Sequence, residues 1–119
     1  MEIKAGFLPV ACQYFLDNKM LDFTDKKSVQ GKLVWQDYNK MLELLKKYFT
    51  VISDGIIHSI EGSHRIIDRF KEEKIDLLII SNILWAEDYL ILDVVKELKH
   101  LPVMNWIFSP YKKLKKISE

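Results

Sequence analysis

Three groups of residues in this chain have types and spacing suited to chemistry. In the first, His58-Ser59-Ile60-Glu61-Gly62-Ser63-His64, two imidazoles flank a carboxylate, donors that a divalent metal takes. Their separation of six residues matches no recognised metal signature, and two ordinary surface histidines are the commoner arrangement. The second is Cys12, the lone cysteine. A nucleophilic thiol needs a base, and nothing near it in sequence supplies one, so a small residue filling a gap is the favoured reading. The third is aromatic: Trp85 follows one apolar run and Trp106 closes another. Indoles at such positions either stack on a ligand, suiting the apolar C–H faces of sugar rings, or seal the end of a sheet. Both readings stand. Glu87 and Asp88 have the chemistry for acid/base work, yet beside Ala86 at a helix start they read better as partners of the helix dipole. Lys112, Lys113, Lys115 and Lys116 are the sole charge cluster, and a short terminal run of this kind is more often solvated than bound to phosphate.

The elements that position these residues alternate in type. Residues 75–81 (IDLLIIS) and 101–108 (LPVMNWIF) are short and nearly continuously apolar, as strands covered on both faces must be. Residues 85–99 between them read as a crossover helix, completing a parallel βαβ unit. Upstream, residues 3–10 (IKAGFLPV) read as a first strand ending at Pro9, because proline cannot donate to a central ladder. Residues 11–27 have no period, and Tyr14, Phe15 and Phe23 suggest a packed loop. Over residues 28–48, Val34, Tyr38, Met41, Leu42, Leu45 and Tyr48 recur at steps of three and four and predict one buried helical stripe. Residues 49–53 (FTVIS) have strand content, broken by Asp54-Gly55. A helix over residues 63–73 follows, with Ser63 as its N-cap and Ile66, Ile67 and Phe70 inward. The tail, residues 111–119, is basic and has no strand pattern.

The order β-α-β-α-β-α-β with right-handed crossovers predicts an α/β fold. It is a flavodoxin-like, three-layer open parallel sheet of about four strands, in the order 2-1-3-4, with helices on both faces. Ligands of such sheets gather at the carboxyl ends of the strands, here the loops carrying Cys12, Trp85 and Trp106. His100, before the last strand, falls on the opposite edge and reads as structural.

Composition narrows the function classes. With 119 residues the chain is one domain, large enough for a core but small for a self-sufficient α/β enzyme. A formal charge of +1 gives no electrostatic case for nucleic acid or an anionic membrane. The four glycines are scattered, with no GxGxxG or GxxxxGK[ST] loop to cradle a nucleotide. A single cysteine, no signal-peptide pattern and no apolar run near ~18 residues give the expectation of a soluble cytoplasmic protein.

Three stretches, in the same order along the chain, resemble one family. The opening Gly6-Phe7-Leu8-Pro9, with aromatics soon after, is similar to the start of the N-terminal domain in the L-fucose isomerase and L-arabinose isomerase superfamily. So are the strand Asp76-Leu77-Leu78-Ile79-Ile80 and the closing Leu101-Pro102-Val103-Met104-Asn105-Trp106. The resemblance implies a flavodoxin-like N-terminal domain that contacts substrate and packs in a homo-oligomer. The longer parent would interconvert aldoses and ketoses by proton transfer, with a divalent metal, typically manganese, held in later domains. No catalytic residue, metal ligand or cofactor is then expected in this chain, which alone would not be catalytic. The implied substrate contacts are Trp85, at the stretch where the family places an aromatic contact, with Cys12, Gln13 and Trp106. Val10-Ala11-Cys12-Gln13 lacks the basic residue the family often has after its first Leu-Pro. The alternatives are a stand-alone self-association module and a small sugar-binding regulator.

Overall fold

The computed structural model describes residues 2–11, 29–82 and 89–106. Its elements are β1 (Lys4–Val10), α1 (Val29–Lys46), β2 (Thr50–Ile52), α2 (Ile60–Glu73), β3 (Leu77–Asn82), α3 (Tyr89–Glu97) and β4 (Val103–Asn105). All four strands are parallel and lie in the order β2-β1-β3-β4. The chain therefore has the α/β, flavodoxin-like arrangement that its alternating pattern predicts.

Two cores flank the sheet. On one face α1 packs Val34, Tyr38, Met41 and Leu45 over Phe7 and Ile79. On the other, α2 and α3 pack Ile66, Phe70, Leu90 and Val94 over Leu8 and Ile80. β1 is buried from Ala5 to Val10 because it is central in the sheet and covered on both faces. The packing is tightest at Gly6. A Cβ there would lie 2.6 Å from Ile75 Cδ1 and 2.9 Å from Phe70 Cε1, so the Phe70 ring sits directly on the backbone of β1.

Several boundaries depart from the sequence reading, each for a local reason. β1 does not end at Pro9 but continues through it. The Pro9 carbonyl accepts from Ile57 N–H at 2.8 Å and Ala11 N–H donates to the Ile57 carbonyl at 3.0 Å, so this part of β1 faces the β2 side. Ladder pairing with β2 has already stopped at Gly6↔Ile52, and the missing N–H of proline breaks no bond of that ladder. α2 starts a turn earlier than predicted, capped by Ser59, whose hydroxyl accepts from Gly62 N–H. Ser63 lies inside the helix instead, buried, and donates to the Leu90 carbonyl at 2.9 Å, which ties α2 to α3. Tyr48 does not join the buried stripe of α1. It lies past the helix end and is 75% exposed.

The largest departure is β4. Its apolar run predicts cover on both faces, yet Val103 and Met104 are 46% and 42% exposed. β4 is an edge strand of three residues.

Two substitutions test this packing by chemical denaturation. Gly6→Ala is expected to destabilise by about 1–3 kcal/mol, because the Phe70 ring cannot retreat from a filled core; an unchanged midpoint would contradict the close approach. Lys74 caps α2 in the left-handed region at φ 55°, with its N–H directed to the carbonyls of Lys71 and Phe70. Lys74→Gly is expected to stabilise by about 0.5–1 kcal/mol, since glycine relieves the left-handed penalty. A loss of stability would show that the lysine side chain contributes more than its backbone costs.

Candidate functional site

The two edges of the sheet differ in character. The amino edge is closed by hydrogen bonds. Lys4 N–H donates to the Asp76 carboxylate at 2.8 Å, the Lys4 ammonium to the Glu73 carbonyl at 3.2 Å, and Asp76 N–H to the Lys4 carbonyl at 2.7 Å. His100 is exposed close to Ile75 and Leu101 at this same edge, as its sequence position implies.

The carboxyl edge contains the switch point. β1 is followed in the chain by β2, its neighbour on one side, while β3 is its neighbour on the other. Register fixes which residues share that edge. Pro9 pairs with Ser81, and Ile80 with Asn105. Trp106 N–H donates to the Ile80 carbonyl at 2.8 Å, which brings Trp106 level with Ser81 and Pro9. All three belong to the α1 face by strand alternation. Trp106 is half-buried there, its ring 6.4 Å from that of Phe7 at a tilt of 46°. Ser81 beside it is buried.

Next to this row, the β2–α2 connection is held in one shape. Gly55 turns the chain at φ 88°. Tyr38 Oη and Ser53 Oγ lie 3.0 Å apart, and Gly55 N–H donates to Ser53 Oγ at 3.3 Å. The Arg69 guanidinium donates to the Ser53 carbonyl at 3.2 Å and pairs with Asp54. The fixed loop forms one wall of a cleft of about 360 Å³, lined by Asp54, His58, Ser59, Gly62 and Arg65 among others. A guanidinium, an imidazole and a carboxylate in one open cleft provide both donors and acceptors for a hydroxyl-rich ligand.

Of the residues singled out from sequence, Trp106 is at the carboxyl edge. Cys12, Gln13 and Trp85 lie outside the described residues, as do Glu87, Asp88 and the lysines of the tail. The histidine pair does not converge. His58 lines the cleft, whereas His64 Nε2 is 3.2 Å from the Asp93 carboxylate on α3. Among the described residues, no three His, Cys, Asp or Glu side chains come together as a metal ion requires. Sequence reasoning missed the β2–α2 cleft, whose one visible signal was the Asp54-Gly55 turn. It also missed an apolar groove beside β4, because it counted Tyr48 among the buried residues.

Two carboxyls among the described residues have displaced pKa values. The Lys71 ammonium, 2.7 Å from the Glu97 carboxylate, holds that carboxyl below its ordinary 4.5 by hydrogen bonding and charge. Partial burial pushes the Asp37 carboxyl on α1 up, against the pull of Lys40. Both shifts have structural causes. No helix among the described residues is long and apolar enough to cross a membrane.

Comparison with known proteins finds no matching family model, curated protein or solved structure.

The α2–α3 pair gives a test with a defined sign. A carboxyl whose pKa is lowered on folding stabilises the fold above its ordinary value and loses that contribution as pH falls through the lowered one. Lys71→Ala is expected to move the Glu97 titration, followed by NMR, up toward its ordinary 4.5. The small stability difference from the parent should be present at neutral pH and vanish in acid. A Glu97 titration left where it was would show that Lys71 is not its partner in solution.

Proposed function

We propose that this chain is the substrate-contacting and assembly domain of an L-fucose/L-arabinose isomerase-like protein. In this reading it binds the sugar at the carboxyl edge of its sheet and leaves proton transfer to other domains. The observation that carries the reading is Trp106, a half-buried indole at the end of β4, level with Pro9 and Ser81 at the switch point. The Trp106 indole, its ring 6.4 Å from that of Phe7, is the kind of aromatic group that stacks on the C–H face of a pyranose or its open-chain form. The β2–α2 cleft, on the same edge of the sheet but across β1 and β3 from Trp106, carries polar groups able to bind hydroxyls. Gln13, Cys12 and Trp85, the other contacts the resemblance implies, follow β1 and β3 in sequence and lie outside the described residues. The described residues bring together no ligand set for manganese. On this reading both the metal and aldose–ketose isomerisation belong to the longer parent.

A second reading, a self-association module, is favoured by a separate observation. Among the described residues no strand pairs with the outer side of β4, and its Val103 and Met104 are exposed. Edge strands of this kind invite pairing with another chain.

Titration of the chain with L-fucose, L-arabinose and their ketose forms, followed by tryptophan fluorescence and calorimetry, separates the readings. The sugar reading expects saturable binding that Trp106→Ala weakens about tenfold or more, the loss of a stacking face worth at least ~1.4 kcal/mol. Concentration-dependent association in sedimentation with no sugar response would leave the assembly module as the account.

A further inference from the structure

Two serines are buried among the described residues, and they differ in what they do there. Ser63 and Ser81 are each 1% exposed. The Ser63 hydroxyl donates to the Leu90 carbonyl and so joins α2 to α3. The Ser81 hydroxyl has no hydrogen-bond partner among the described residues. A hydroxyl withdrawn from water and left unpaired costs free energy, and native interiors pair nearly all such groups. The buried residues before it in β3, Leu78, Ile79 and Ile80, are all aliphatic. An alanine at this position would avoid the cost, so the serine needs a reason outside the packing.

Its surroundings supply one. Ser81 stands near the carboxyl end of β3, paired with Pro9 of β1 on one side and level with Trp106 on the other. By strand alternation it shares the α1 face with Ile79. The backbone groups beside it are already engaged. Pro9 has no N–H and its carbonyl accepts from Ile57, while Trp106 N–H donates to the Ile80 carbonyl. Phe7 on β1 and Trp106 just past β4 flank β3, with two strand spacings, about 10 Å, between their backbones. Their rings are 6.4 Å apart and both belong to the α1-side core, so they meet over β3 on the face where Ser81 stands.

We propose that the Ser81 hydroxyl is a binding group of the carboxyl edge, taking a neutral hydroxyl of the ligand and covered by the Trp106 indole until that ligand enters. The proposal rests on the sugar reading above and names its polar contact beside Trp106. Serine both donates and accepts a hydrogen bond, as a sugar hydroxyl does. A phosphate or carboxylate is disfavoured at this spot, because a charge buried beside Phe7, Pro9 and Ile79 would go uncompensated. On entry the indole turns from Phe7 and the ligand hydroxyl pairs with Ser81. The ring that covers the serine then becomes the ring that stacks on the sugar.

Ser81→Ala in the full chain tests this, with Ser63→Ala as its control. Without sugar, Ser81→Ala is expected to leave the chemical denaturation midpoint unchanged or raise it, whereas Ser63→Ala lowers it. With L-fucose or L-arabinose, calorimetry is expected to show affinity about tenfold weaker for Ser81→Ala and unchanged for Ser63→Ala. A midpoint lowered by Ser81→Ala would give the hydroxyl a structural partner and overturn the proposal, whatever the sugar does. Unaltered affinity in Ser81→Ala, with the parent chain binding sugar, would overturn it and leave the sugar reading standing. No saturable binding by the parent chain would remove both.

Discussion

A sheet of four strands is about 14 Å across and a helix about 10 Å wide, and this mismatch governs the molecule. One helix cannot cover one face of the sheet. On the α2–α3 side two helices do so, joined to each other by the buried Ser63 hydroxyl on the Leu90 carbonyl and, at their surface, by the His64–Asp93 contact and the Lys71–Glu97 ion pair. On the α1 side a single described helix covers β1 and part of β3, and the cover gives out toward β4. The exposure of Met104, the groove and the half-buried Trp106 all lie on that side.

The same geometry separates the two edges of the sheet by role. The amino edge is fastened by Lys4, Asp76 and the left-handed cap at Lys74, groups that hold elements together. At the carboxyl edge, where β1 and β3 stay paired to Val10 and Asn82, the side chains at hand are an indole, hydroxyls, an imidazole and a guanidinium. These are groups able to donate and accept hydrogen bonds or to stack on a ligand.

Much of the fold was legible from periodicity. Nearly continuous apolar runs marked β3, which is buried on both faces, and β4, and steps of three and four marked α1 and α2. What was not legible depended on neighbours. Pro9 sits within a central strand because the ladder on its nitrogen side has already ended, a fact of register invisible in the sequence. Ser59 and Ser63 are equally good caps by type, and only the packing of α3 against α2 draws Ser63 inward. β4 has the composition of a buried strand yet lies at the edge, because the run of residues says nothing of what stands beside it. At the candidate site the sequence found Trp106 through its place after an apolar run. The β2–α2 cleft, assembled from a turn, a helix start and Arg65 a turn further on, had no signature of its own.

The central claim is that sugar binds at the carboxyl edge. The most direct test is to map, by NMR, which amides and indoles shift when an aldose or its ketose is added. The account predicts that the Trp106 indole shifts together with amides around Ala11, Ser81 and Asn82, while Thr50 and Asp76 at the amino edge stay still. Shifts confined to the amino edge, or none at saturating sugar, would contradict it.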